Sequence, residues 1–143
     1  MQTTLELLGE TDVQMKKPFV LGVLGNRSKW TLGETVDLLQ AIISEEDCIP
    51  TSLQIPSEGD SALFFEVWAT NHKIDCFPIQ SEWTKHGRRA RAIRDSKIMK
   101  DASHLVFFLN KRSDFYMKMA MKEAKKGRVV YTIDNNKEIA MWT

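Results

Sequence analysis

Five short apolar runs recur along this 143-residue chain, and four of them lead into a stretch with helical spacing. That alternation constrains the fold more than any other feature of the sequence. The runs are FVLGVL (19–24), TSLQIP (51–56), KIDCFPI (73–79), HLVFFL (104–109) and RVVYTI (128–133). The first is apolar at every position but its glycine, as expected of a strand buried on both faces. The intervening stretches read as helices. Over 31–43, Leu32, Val36, Leu39 and Ile43 fall at helical spacing, and Thr31 with Glu34 forms a capping box. Over 61–71, Leu63, Phe64, Val67 and Trp68 share one side. Residues 86–102 form a basic helix opened by Gly87. Over 113–127, Ser113 or Asp114 caps the start and Gly127 ends the helix, with Lys125 and Lys126 in the last turn.

Strand–helix alternation of this kind implies a parallel sheet with helices on both faces. The expected class is therefore α/β: a Rossmann-like three-layer sandwich with a mainly parallel sheet of about five strands. Residues 1–143 read as one domain, with 1–17 as an N-terminal extension and 134–143 as a tail of no clear structure. In such folds ligands bind at the carboxyl ends of the strands. The segments 25–29, 56–61 and 110–113 are thus expected to line one crevice.

The formal net charge is +1, so no global pull toward nucleic acid or anionic membrane is expected. The two cysteines, Cys48 and Cys76, are far apart and in no metal-ligand spacing, and read as free thiols in a reducing compartment. No apolar run approaches the ~20 residues of a membrane span. The first residues carry Glu and Asp ahead of their basic pair, unlike a signal peptide. The expected location is the cytoplasm, and no metal or cofactor is expected.

Four segments carry candidate chemistry. GNRS offers backbone amides at Gly25 and Asn26 and the charged fork of Arg27, which suits a phosphate at a strand-to-helix junction; an ordinary turn is the alternative. PSEGDSA follows the second strand. There Gly59 permits a tight backbone and Ser57 or Ser61 can donate to an oxygen. Glu58 and Asp60 repel a phosphate but accept from ribose hydroxyls, or else form a solvated acidic turn. From Lys85 to Lys100 stand seven Lys/Arg and one acid, Asp95. That run reads as a solvated basic helix, as a weak nucleic-acid footprint, or as a means to aim Arg94 into the crevice beside a ligand phosphate. Finally, Asn110, Lys111, Arg112 and Ser113 stand between the fourth strand and its helix, where a polyphosphate could use the cations and the helix start together.

Taken together, these segments resemble the SLOG superfamily, in particular its small YspA/YpsA-like branch, related to the Lonely Guy nucleotide hydrolases and to the DNA-processing protein DprA. The resemblance lies in Gly25, Asn26, Arg27 and Trp30 after the first strand, and in Trp68–Ala69 at the end of the second helix. It continues through Phe77, Pro78, Trp83, Gly87, Arg88, Ala90, Ile93, Arg94 and Asp95, and then the apolar strand HLVFFL. It runs collinearly over roughly 18–133, and the Trp83–Asp95 block is its most specific part. It implies the fold, the crevice, Arg27, Arg88 and Arg94 as ligand contacts, and pairing into a homo-oligomer. The chain departs from the family in two loops and at one residue: PSEGDSA replaces a Gly-rich turn, NKRSDF replaces a Gly-Gly-x-Gly-Thr loop, and Asp95 stands where the small branch usually has Asn. The hydrolases place a catalytic Glu one turn beyond that Gly-Thr, where this chain has Tyr116 or Met117.

Glycosidic hydrolysis passes through an oxocarbenium-like state and needs a carboxylate near the ribose. Its loss leaves binding without rate. The leading expectation is therefore binding of a nucleotide-derived ligand, of the ADP-ribose type that SLOG domains sense, by a sensor subunit or sequestering protein. The alternatives are a phosphoribohydrolase of Lonely Guy type that uses Glu58 or Asp60 as a relocated acid, and a DNA-binding protein of DprA type. For Trp30 the favoured role is an anchor of its loop, against a lid that stacks on a base.

Overall fold

The computed structural model describes residues 19–25, 30–59, 61–109 and 114–142. In chain order these form β1 (Val20–Gly25), α1 (Leu32–Glu46), β2 (Ser52–Pro56), α2 (Ser61–Asn71), β3 (Asp75–Ile79), α3 (Trp83–His86), a 3-10 turn (Gly87–Arg89) and α4 (Ala90–Lys100). Then follow β4 (His104–Phe108), α5 (Phe115–Lys125), β5 (Val129–Ile133) and β6 (Ile139–Trp142). The strands make one six-stranded sheet in the order β3-β2-β1-β4-β5-β6. All pairings are parallel except β5 with β6. The protein is thus α/β with a mostly parallel sheet, compatible with a Rossmann-like sandwich.

Successive strand residues point to opposite faces, and two apolar clusters divide along that rule. Leu21, Val23, Val106, Phe108, Tyr131 and Ile133 join Leu38, Leu39, Ile42, Phe65 and Trp68 of α1 and α2. On the other face Leu24, Leu105, Phe107 and Val130 join Ile98 of α4 and Ala120 of α5. Gly22 lets α4 come close, because a Cβ there would meet Leu105 Cδ2 at 2.9 Å and Ile98 Cγ2 at 3.1 Å.

Several expectations are corrected. The tail is ordered in part: 139–142 pair antiparallel with β5 and make a sixth strand, where about five were expected. The basic helix is broken. Gly87 does not open it but sits between α3 and α4 with φ 59, a conformation that interrupts a helix. Asp114 stands at the start of α5, yet its side chain makes no capping bond. The helix faces are also rotated. In α1 the buried set is Thr35, Leu38, Leu39 and Ile42, while Leu32 is exposed. Thr35 tolerates burial because its hydroxyl donates to Thr31 O at 2.8 Å. In α2 the buried residues are Ser61, Ala62, Phe65, Trp68 and Ala69, while Leu63 and Val67 face solvent. That helix is apolar on nearly every side, so spacing alone cannot choose its face. The capping box of Thr31 and Glu34 is present.

Among the described residues, no helix is long and apolar enough to cross a membrane. Both cysteines are free. Burial, with Glu66 nearby, pushes the Cys76 thiol up to about 11, so it stays protonated.

Candidate functional site

The chain runs outward from β1 to β2 to β3, then returns to the other side of β1 for β4 and β5. The direction of winding reverses between β1 and β4. Open sheets of this kind leave a crevice there, beyond the carboxyl ends of the strands.

Gly25 ends β1 at that point with φ 100, and lies in register with Phe108 at the end of β4. A Cβ on Gly25 would lie 2.1 Å from Phe108 O. The single glycine of the loop is therefore required by the neighbouring strand. Trp30 is fixed on the same side: its ring meets Phe108 edge-on at 4.9 Å between centroids and packs against the core. This core packing is compatible with the anchor role, and Lys137 Nζ lies 5.5 Å from the ring centroid.

The start of α1 is already engaged. The Glu34 amide donates to Thr31 Oγ1, and the Thr31 amide donates to Glu34 Oε1. The box therefore uses two amides and sets a carboxylate in the first turn, which disfavours an anion on that helix end. Asn26, Arg27, Asp60, Asn110, Lys111, Arg112 and Ser113 lie outside the described residues.

A polar cluster occupies the same edge of the sheet, past β2 and β3 and under the first turns of α4 and α5. Arg94 is buried, with 7% of its surface exposed. Its Nη1 donates to Glu58 Oε1 at 2.8 Å, and its Nε and Nη2 donate to Asp95 Oδ1 at 3.1 and 2.8 Å. The Tyr116 phenol donates to Asp95 Oδ2 at 3.0 Å, and the Ser81 amide to Glu58 Oε2 at 3.0 Å. Ser57 is tied to β3 by its amide, which donates to Ile79 O at 3.0 Å. Gly59 is exposed with φ 88.

The electrostatics follow from this wiring. Burial opposes the Arg94 charge, but Asp95 and Glu58 more than offset it and raise its pKa. Burial also works against ionised Glu58, yet Ser81 and Arg94 together hold its pKa below the ordinary value. Burial and the Asp95 carboxylate push the Tyr116 phenol up to about 12, so it is a donor at neutral pH and not a base.

Of the residues singled out in the sequence, Glu58 and Arg94 meet directly. Arg88 does not join them; it lies exposed in the Gly87–Arg89 turn. The partnership of Asp95 and Tyr116 was not read from the sequence. Its only signal was an acid inside a basic run.

Glu58 sets an acid-side pH dependence. Its folded pKa is depressed, so its contribution is present above the unfolded value of about 4.3 and is lost as pH falls through the lower folded value. The side chain is 42% exposed, so solvent screening limits the effect to about 1 kcal/mol or less. Melting curves between pH 3 and 7 should show a shallower acid limb for Glu58→Gln than for the parent.

A second cluster lies at the opposite ends of the strands. His104 Nε2 and Glu46 Oε1 are 2.9 Å apart, Tyr131 donates to Glu46 Oε2, and Ser103 Oγ lies 2.7 Å from His104 Nδ1. The order Ser–His–Glu resembles a nucleophile relay. However, Ser103 Oγ accepts from the Val20 amide at 3.0 Å, and the Phe19 ring covers His104 at 4.1 Å. The group ties α1 to β4 and β5. Among the described residues, no group of His, Cys, Asp and Glu is arranged to hold a metal ion.

No family model, curated protein or solved structure matches this chain.

Proposed function

We propose that this protein binds a nucleotide-derived small molecule of ADP-ribose type at the carboxyl ends of β1 and β4, and does not turn it over. The observation that carries the reading is the reversal of strand order beside Gly25. In sheets wound this way an anionic ligand lies over that reversal, and an acid past the second strand takes the ribose hydroxyls. Glu58 stands two residues beyond β2, fixed by Ser81 and Arg94. The phosphate is assigned to the backbone at Gly25–Asn26 and to Arg27, with Lys111 and Arg112 before α5 as further cations. Ligand held this way suits a sensor subunit or a sequestering protein.

Absence of turnover rests on the chemistry at the start of α5. Of the two candidates for the position that would need a carboxylate, Tyr116 carries a phenol held protonated and Met117 carries no acid, and the nearby Asp95 is engaged by Arg94 and Tyr116. None of the three is suited to stabilise an oxocarbenium-like state.

Calorimetry with AMP and ADP-ribose, with chromatography of the same samples, tests the reading. Stoichiometric binding and no free base are expected. Arg27→Glu should abolish binding while shifting the melting temperature by only a few degrees, as for most surface substitutions. Base release well above background, lost in Glu58→Gln, would instead make the chain a hydrolase with a relocated acid.

A further inference from the structure

The two faces of the sheet carry opposite charge. Residues 31–75, which include α1 and α2, hold nine Asp/Glu and one Lys, whereas 83–128, which include α4 and α5, hold fourteen Lys/Arg and four Asp/Glu. The net charge of +1 conceals this division. It is sharper at the surface than in the sequence. Two of the four acids in the basic half, Asp95 and Glu123, are buried and paired inward, Asp95 with Arg94 and Glu123 with Arg128 and Lys126. Apart from Arg94, the cations of the same helices are exposed.

Helices α4 and α5 lie side by side. Tyr116 in the first turn of α5 donates to Asp95 at the middle of α4, and the Arg128 guanidinium, just past α5, donates to Met99 O near the end of α4. Their inner sides, through Ile98 and Ala120, are spent on the sheet. The outer side exposes Lys100 from α4 and Lys118, Lys122 and Lys125 from α5. Of these four, only Lys118 has an ion-pair partner among the described residues, an exposed contact with Asp114 at 3.5 Å.

We infer that the outer face of α4 and α5 is a docking surface for the phosphate backbone of duplex nucleic acid, bound without regard to sequence. Three considerations select this partner. Protein interfaces are depleted in Lys at their centres, and this face is Lys-rich. A helix that lies on a membrane sinks a continuous apolar face into it, whereas most apolar side chains here cover the sheet and, of the large ones on α4 and α5, only Phe115 and Met121 are exposed. Exposed cations on long stems are what a phosphate backbone recruits, through counterion release. The dimensions also agree. Each helix has 11 residues, hence about 16 Å, which spans about five base pairs. The acidic far face repels a polyanion, so the duplex is held on one side only. This surface is separate from the crevice and does not rest on the proposed ligand.

The test is fluorescence anisotropy of the full chain with a labelled duplex of about 20 base pairs, between about 50 and 200 mM salt. About four phosphate contacts give a slope of log K on log salt near −3.6, so affinity falls by roughly 150-fold over that range. Lys118→Gln with Lys122→Gln, and separately Lys100→Gln with Lys125→Gln, should each weaken binding by about tenfold or more. Each pair should also reduce the slope by about two. All four positions are exposed, so melting temperatures should hold. Three results would overturn the inference: no binding at the lower salt, a slope unchanged in either double variant, or tighter binding to vesicles with about one third phosphatidylserine than to the duplex.

Discussion

Gly25→Ala should cost at least about 4 kcal/mol of stability, a loss seen only where a substitution meets a specific steric or electrostatic conflict. Gly25 has φ 100, where a side chain is strained in any surroundings. The new Cβ would also fall 2.1 Å from Phe108 O, 2.8 Å from Phe108 N and 2.9 Å from Phe108 C. These are backbone atoms of the strand paired with β1, and they cannot rotate aside. Either β1 and β4 separate at their ends or the turn after Gly25 changes course. For a chain of this length the melting temperature should fall by roughly 10 °C or more. Urea titration with thermal melts reads both quantities. A loss near 1 kcal/mol would mean that β1 does not press on β4 at this position.

Arg94→Met should cost about 3–5 kcal/mol, the usual penalty for breaking a buried ion pair by removal of one partner. Asp95 is 1% exposed and takes two of its three hydrogen bonds from Arg94. The substitution leaves its carboxylate with the Tyr116 phenol alone. Glu58, by contrast, is 42% exposed and can turn toward water. The penalty therefore belongs mainly to Asp95, and Arg94→Met combined with Asp95→Leu should recover about half of it or more, because an apolar pair carries no buried charge. Denaturant titration of the two single variants and the double variant closes the cycle. A loss below about 1 kcal/mol for Arg94→Met would mean that the guanidinium is not committed to its carboxylates and is available to a ligand phosphate.

The arrangement of elements was legible because apolar runs and turn residues are local signals. All five expected strands form, and α2 spans 61–71 as its pattern predicts. What the sequence left open depends on contacts between distant segments. The apolar residues of α2 leave its inward face to be chosen by packing on β2 and β3. The tail reads as irregular because IAMW becomes a strand only when β5 offers an edge. Arg94 shows the same division at the site. Its place in the basic run was readable, but the partners that define its role come from positions 58 and 95 and, through Asp95, 116. In the sequence Gly25 offers only a backbone amide to a phosphate, whereas the structure shows that β4 requires a glycine there. The opposite charges of the two faces were present in the residue counts, but became a surface only once α4 and α5 were placed together.

The central claim is that a nucleotide-derived ligand occupies the end of the sheet where the winding reverses. Titration of isotope-labelled protein with ADP-ribose, followed by backbone amide NMR, tests it residue by residue. The account expects saturable shifts concentrated in 25–31, 57–60 and 109–116, with the amides of His104 and Val129 at the opposite strand ends unmoved. Saturable shifts confined to those opposite ends or to the outer face of α4 and α5, or no shift at millimolar ligand, would contradict it.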